Sequence, residues 1–279
     1  MSLITVSRTP NPYLRSWVTL ALIYSGLTLS SADAAIPREI EPDYARAVLA
    51  FHDKDYAQTV SILTSIDTQG KKIREILEMQ GLALKLDKKT DQAIGVYQEL
   101  AQALIAEGAP AQVRGPVEFE SGMLLVSLKR MSESVPHFEA ALEAKTNPGT
   151  SALYVGLASL SAANWEKAAN AFKLVGTSTR TELHPAGAFY LGQSYSQMGF
   201  PAGAIDAFQK SVKVSESLEK SPLSTPAILK LASEMKASAS AALKPYDDAK
   251  VFANLSVLAG YDSNLLAVPN SIASDPSGK

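Results

Sequence analysis

Few side chains in this 279-residue chain could do chemistry, and they are scattered. The three histidines, His52, His137 and His184, are far apart, and none belongs to an H-x-x-x-H or histidine–cysteine pattern that would bind a metal. Cysteine is absent, which excludes a disulfide, a thiolate zinc site and a cysteine nucleophile. The histidines are therefore expected to be surface or groove residues rather than catalytic ones.

Acidic residues are the other chemistry-bearing type. Glu118 and Glu120, like Asp247 and Asp248, lie close together in sequence, and we expect them to be solvated charges with no partner across a cleft. The chain has no G-x-S-x-G, P-loop or G-x-G-x-x-G motif. Its net charge of −2 comes without a block of basic residues, which argues against a nucleic-acid partner. We predict no catalytic residue, no cofactor and no metal site, and hence no enzyme.

A periodic pattern of small and large residues organises the middle of the chain. A small residue is followed twelve positions later by another, and four positions after that by a large apolar one. Such spacing predicts pairs of antiparallel helices, because small residues let two helices cross closely while the large residue fills the gap against the neighbouring unit. The five sets are Ala47, Thr59, Leu63; Gly81, Ala93, Tyr97; Gly122, Ser134, Phe138; Gly156, Ala168, Phe172; and Gly192, Ala204, Phe208.

Turn-like stretches separate the two predicted helices of a unit at Asp53–Asp55, Asp87–Lys89, Ala163–Asn164 and Met198–Gly199. The step between the second and third sets is longer than the others. It predicts a longer second helix or a loop around Ala101 to Gly115.

The fifth unit carries the clearest family resemblance. Leu191-Gly192-x-x-Tyr195, followed by Gly199, Ala204 and Phe208, resembles the tetratricopeptide-repeat (TPR) pattern. The resemblance covers about residues 41 to 214. It implies an all-α, right-handed superhelical TPR solenoid of about five helix-turn-helix units. An irregular stretch, 215–225, and a capping helix from Pro226 to Leu243 are predicted to follow.

In this family the groove lined by the first helices binds partners, so the resemblance implies a protein or peptide ligand. The groove is mostly apolar, which favours an amphipathic helix or apolar peptide, although Glu78 and Lys85 project there from the second unit. The alternative is that these are core residues of the stack. The predicted groove residues are Tyr44, Val48, Phe51, Phe119, Met123, Val126, Leu153, Leu157, Leu160, Phe189, Gln193, Ser196 and Gln197.

The first 34 residues have the pattern of a secretory signal peptide. Arg8 and Arg15 precede an uncharged, mostly apolar stretch, 17–29, and an A-x-A pattern ends at Ala34. The pattern predicts export, here to a periplasm. An uncleaved anchor or a buried first helix is the alternative.

The last residues, 246–279, differ from the repeats. In Lys250 to Tyr261 apolar side chains alternate with small or polar ones, which predicts a strand, possible in a membrane barrel. Gly260 to Leu265 resembles the first barrel strand of outer-membrane proteins with a periplasmic TPR region, such as surface lipoprotein assembly modulators and exopolysaccharide export porins. The alternative is an ordinary tail whose alternation is accidental.

The sequence therefore predicts four segments: a signal peptide (1–34), a TPR solenoid (35–214), a linker with capping helix (215–245) and a strand-like tail (246–279). The function it favours is an exported, periplasmic TPR scaffold for protein–protein interaction, as the periplasmic part of an outer-membrane secretion or assembly protein. The alternative is a free, soluble periplasmic adaptor for envelope complex assembly.

Overall fold

The computed structural model describes residues 36–66 and 68–259, the last thirteen by backbone alone, and shows helices joined by short turns. The predicted signal peptide lies outside the described residues. The chain divides into two compact units, with the boundary in the sequence between Thr146 and Asn147.

Three helical hairpins form the described part of the first unit. Within each hairpin the two helices pack together, and each of the first two hairpins also packs its second helix on the first helix of the next hairpin. The helices are α1 (Glu41–His52) and α2 (Tyr56–Ser65), α3 (Arg74–Leu86) and α4 (Thr90–Ala106), and α5 (Ala111–Ser127) and α6 (Met131–Glu143).

The second unit repeats this arrangement with two hairpins and a long final helix. Here α8 packs on α9 and α10 packs on α11. The helices are α7 (Pro148–Ser161) and α8 (Trp165–Val175), α9 (His184–Gln197) and α10 (Pro201–Glu219), and α11 (Pro226–Ala259), with one 3-10 turn at Thr181–Leu183. The prediction of an all-α stack of about five hairpins with a C-terminal helix is confirmed.

A ring packed on a glycine joins the two helices of four hairpins. A methyl group built on Gly156 would lie 2.5 Å from the Phe172 ring, and one on Gly192 would lie 2.6 Å from the Phe208 ring. Gly81 with Tyr97 and Gly122 with Phe138 repeat the contact, at 2.9 Å and 3.0 Å. In the first hairpin the buried Ala47 and Leu63 take these places.

The second small residue of each set is fully buried, at 0 % exposure in all five hairpins: Thr59, Ala93, Ser134, Ala168 and Ala204. The predicted spacing is thus confirmed, but the role given to the large residue was incomplete. Each ring packs on the glycine of its own hairpin. A ring can also contact the next hairpin, as Phe172 does where it stacks on Tyr190 of α9 with ring centroids 5.4 Å apart.

One turn geometry recurs between the helices of all five hairpins. Lys54, Lys88, Lys129, Ala163 and Gly199 have φ between 55° and 73°. The next residue donates its backbone N–H to a carbonyl five positions earlier, as Asn164 does to Ser159 at 2.8 Å. These bonds pair carbonyls that the helix end would otherwise leave unpaired. Four of the turns were predicted, whereas the turn at Leu128–Arg130 was not.

One repeat helix extends further than predicted. α10 continues to Glu219 because the fully buried Ser211 and Ser215 prolong the inward stripe begun by Ala204 and Phe208. The longer sequence spacing between the second and third sets of small and large residues is occupied by helix and not by a long loop. Helix α4 has 17 residues, and α5 already includes Gly115.

The final helix starts as predicted. Pro226 is its first residue, and the Ile228 N–H donates to Thr225 Oγ1 at 3.4 Å. It then continues past Leu243 to Ala259. Residues 260–279 lie outside the described residues, and the barrel interpretation stays a prediction.

The ring-on-glycine contact predicts opposite effects for two glycine-to-alanine changes. Gly156→Ala should lower the free energy of unfolding by about 1–3 kcal/mol, because the new methyl group has no room. Gly95→Ala, on the exposed side of α4 where nothing lies within 4 Å of the added carbon, should raise it by about 0.5–1 kcal/mol. Urea unfolding followed by circular dichroism measures both. Equal effects of the two changes would contradict the packing described.

The turn geometry predicts that Ala163→Gly stabilises the protein by about 0.5–1 kcal/mol, because glycine adopts a positive φ without steric cost. Ala162→Gly is the matched control, since Ala162 has φ −87° and should gain nothing from glycine. Thermal unfolding of both variants measures the difference. A loss of stability in Ala163→Gly would show that this turn is not strained.

Candidate functional site

The predicted groove residues lie on the first helices of four hairpins. Their exposure divides them: Tyr44 and Phe189 are buried, Ser196 and Gln197 are exposed, and the other nine are partly buried. They are distributed as Tyr44, Val48 and Phe51 on α1; Phe119, Met123 and Val126 on α5; Leu153, Leu157 and Leu160 on α7; and Phe189, Gln193, Ser196 and Gln197 on α9.

In the first unit the aromatic members contribute to the core. Tyr44 is 6 % exposed and packs in one cluster with Ile76 and Met79 of α3. Phe51 lies edge-on to Tyr56, with ring centroids 5.4 Å apart. Tyr56, the first residue of α2, thus contacts the first helix of its own hairpin. Phe119 similarly lies edge-on to Phe138 of its hairpin, at 5.9 Å.

In the second unit the final helix covers part of the predicted groove. Phe189, 9 % exposed, packs with Phe208 and with Met235 and Ala239 of α11. The Tyr246 hydroxyl of α11 lies 3.0 Å from Ser196 Oγ, within hydrogen-bond distance. The core interpretation therefore holds for Tyr44 and Phe189, whereas the leucines of α7 keep part of their surface exposed.

A buried carboxylate occupies the corresponding place in the second hairpin. Glu78 lies three residues before Gly81, as Tyr44 and Phe119 lie three before their own small residues. It is 2 % exposed, and Arg74 Nε donates to its Oε1 at 2.7 Å. Among the described residues, nothing lies within hydrogen-bond distance of its second oxygen, Oε2.

A buried phenol lies beside this carboxylate. Tyr97 is 0 % exposed, and no described residue hydrogen-bonds to its hydroxyl. Its ring carbon Cζ would be 3.1 Å from a methyl group built on Gly81, which places the hydroxyl against α3, one turn from Glu78. The first unit thus holds an acidic cluster, which we define as Glu75, Glu78 and the hydroxyl of Tyr97.

Burial perturbs the ionisation of this cluster. It raises the pKa of Glu78, and the hydrogen bond and charge of Arg74 offset this only in part. Burial also raises the pKa of Glu75, and the neighbouring charge of Glu78 raises it further. The pKa of Tyr97 is raised by burial and by the carboxylates of Glu120 and Glu78. Burial raises the pKa of Tyr44 too, with Glu75 and Glu78 adding to it. Acidic groups are therefore crowded here in a poorly solvated place, which disfavours their ionised forms.

Two further carboxylates are paired rather than solvated, which corrects the prediction. Glu120 of α5 forms an ion pair with Lys85 of α3 and so joins the second and third hairpins. Glu118 lies 2.7 Å from His137 Nδ1, and both side chains are largely buried between α5 and α6. Sequence reasoning missed these pairs. The side chains of Asp247 and Asp248 lie outside the described residues.

The described residues hold no cluster of three or more histidine and acidic side chains that could bind a metal ion. None of the described helices is both long and apolar enough to cross a membrane.

Comparisons with known proteins show the fold. No family model matches the chain, and no curated protein matches it. Among solved structures, a MamA double mutant from Desulfovibrio magneticus RS-1 is 16 % identical, with a TM-score of 0.50 over 67 % of this chain and 100 % of that one. A second MamA structure is 13 % identical, with a TM-score of 0.51 over 66 % and 96 %.

The chain is also similar to YrrB, described as a TPR protein with an unusual peptide-binding site: 15 % identity and a TM-score of 0.48 over 71 % of this chain and 91 % of that one. The fold of the described chain is a TPR-type stack of helical hairpins. Its repeated hairpins, and the buried small and large residues at regular spacing within them, are those that the sequence pattern predicts.

The raised pKa of Glu75 predicts a pH-dependent effect of Glu75→Gln. A carboxyl group whose pKa is higher in the folded than in the unfolded protein stabilises the fold when protonated, and this contribution is lost as the pH rises through the folded pKa. The variant should therefore be more stable than the wild type at pH 7, with a gain that shrinks as the pH falls from the raised pKa of the folded protein towards 4.5, the ordinary value for glutamate.

Urea unfolding at several pH values measures this gain, with Glu166→Gln on the exposed side of α8 as control. A gain that does not depend on pH would rule out the titration of Glu75 as its source.

Proposed function

We propose that this protein is an exported scaffold that binds a segment of another protein along the first helices of its hairpins. The observation that carries the proposal is the row Phe119, Met123 and Val126 on α5. These side chains keep exposed surface although Ser121 and Leu125, on the same helix, are buried. Apolar side chains spaced by three and four residues form a stripe that suits the apolar face of an amphipathic helix or an extended apolar segment.

The leucines of α7 support the same use in the second unit. Leu153, Leu157 and Leu160 are partly buried and follow the same helical spacing. The protein would then act by holding a partner rather than by catalysis. TPR-type neighbours such as YrrB, described as having a peptide-binding site, are consistent with this mode.

The pattern of residues 1–34 supports export to a periplasm as part of the proposal. Two forms of the exported scaffold remain distinct: a part of an outer-membrane secretion or assembly protein, attached through its tail, and a free periplasmic adaptor. Deleting 250–279 distinguishes them in the native host. Loss of the protein from the outer-membrane fraction supports the attached form, whereas an unchanged soluble yield supports the adaptor.

Site-specific crosslinking tests the binding face. A photoreactive benzoylphenylalanine at Met123 should capture a discrete partner in the native host, and adding Val126→Glu should abolish the product, because a charge in an apolar contact opposes binding. The same probe at Gln98, exposed on α4, is the matched control and should give no such product.

Equal capture from Met123 and Gln98, or capture that survives Val126→Glu, would contradict binding on this face. Circular dichroism of each variant checks that the helices are intact.

A further inference from the structure

We propose that the acidic cluster of Glu75, Glu78 and the Tyr97 hydroxyl is a subsite for one basic side chain, lysine or arginine, of the bound polypeptide. The inference rests on the proposed function and names the chemistry of the partner. The subsite would place a polar binding position on the second hairpin, within a face that is otherwise apolar.

The first argument is charge. Glu75 and Glu78 lie three residues apart on α3, and Arg74 is the cation that hydrogen-bonds to this pair, through Glu78 Oε1. Lys85, in the last turn of the same helix, is paired with Glu120. One carboxylate charge is therefore left without a bonded counterion in a largely buried place, where a bound cation is strongly favoured.

The second argument is hydrogen bonding, and it is independent of the charge count. Two buried polar atoms, Glu78 Oε2 and Tyr97 Oη, have no hydrogen-bond partner among the described residues. Buried polar groups are rarely left unpaired, because each costs the free energy of its lost solvation. Both atoms can accept a hydrogen bond, and an ammonium or guanidinium group carries only donors.

The third argument identifies the source of the cation as a side chain. Val48 of α1 and Phe119 of α5 lie on the first helices on either side of α3 in the sequence and are both partly exposed. An aliphatic stem that ends in a charge can pack on such apolar surface while its head reaches the carboxylates. Partly exposed Glu75 provides the access that the more deeply buried Glu78 lacks.

Fragment titration tests the subsite without knowledge of the partner. The probes are N-acetyl-lysine methylamide and N-acetyl-arginine methylamide, with N-acetyl-norleucine methylamide as the neutral control. Isotope-labelled protein comprising residues 35–279 is titrated at millimolar probe concentration, and chemical shifts are followed by NMR. We expect the two cations to shift resonances around Tyr97 and Glu78, and the norleucine probe to bind at least about fivefold more weakly, because a hydrogen bond to a charged group is lost.

The decisive variant is Tyr97→Phe, which removes one hydroxyl and keeps the ring on Gly81. It should bind the cations about fivefold or more weakly, while its unfolding midpoint in urea stays the same or rises, because the hydroxyl has no partner inside the protein. Tyr56→Phe, outside the cluster, is the matched control and should bind as the wild type does. Glu75→Gln should also weaken binding of the cations.

Equal binding of the cationic and neutral probes would overturn the subsite and leave the apolar face intact. Binding of neither cation, or a Tyr97→Phe variant that binds as the wild type does, would also overturn it. The crosslinking at Met123 is read separately, so failure of this subsite and failure of the proposed function remain distinguishable.

Discussion

The close approach of two helices at a glycine covered by a ring is the contact on which the rest of the structure depends. It sets how far apart the two helices of a hairpin lie, and so which other side chains can be buried between them. The fully buried small residue on the second helix, such as Ala168 opposite Gly156, follows from the same approach. Interiors are packed too tightly for such a crossing to tolerate an added carbon without rearrangement. Within each hairpin, this close packing therefore fixes the position of the first helix relative to the second.

Most of this frame could be predicted from the sequence, because the contacts that define it lie at fixed separations along the chain. The glycines at 81, 122, 156 and 192 and their rings mark the hairpins directly. What failed were features whose residues give no local signal. Lys129 turns the chain without the Gly, Asp or Asn typical of such turns, and Ser215 continues a buried stripe although serine looks polar.

The candidate site could be predicted only in part, because the exposure and the neighbours of a side chain depend on how the helices pack. The first-helix face could be assigned from its register, yet whether a residue on it is exposed depends on what packs across it, as α11 does over Phe189. The acidic cluster was missed because Glu78 of α3 and Tyr97 of α4 become neighbours only after packing. A carboxylate at a position that holds an aromatic residue in other hairpins was the available signal. This signal would have distinguished Glu78 from nearby charged residues in the sequence that are solvated.

The separation in sequence between each glycine and its ring also affects how the chain folds. In all four hairpins it is sixteen residues, from Gly81 to Tyr97 and from Gly192 to Phe208. Closing so short a loop costs little chain entropy, and proteins dominated by such local contacts fold quickly. Each hairpin can thus form its main contact during synthesis, before the next one has been made. The export proposed above would therefore require this rapid local closure to be delayed until translocation is complete.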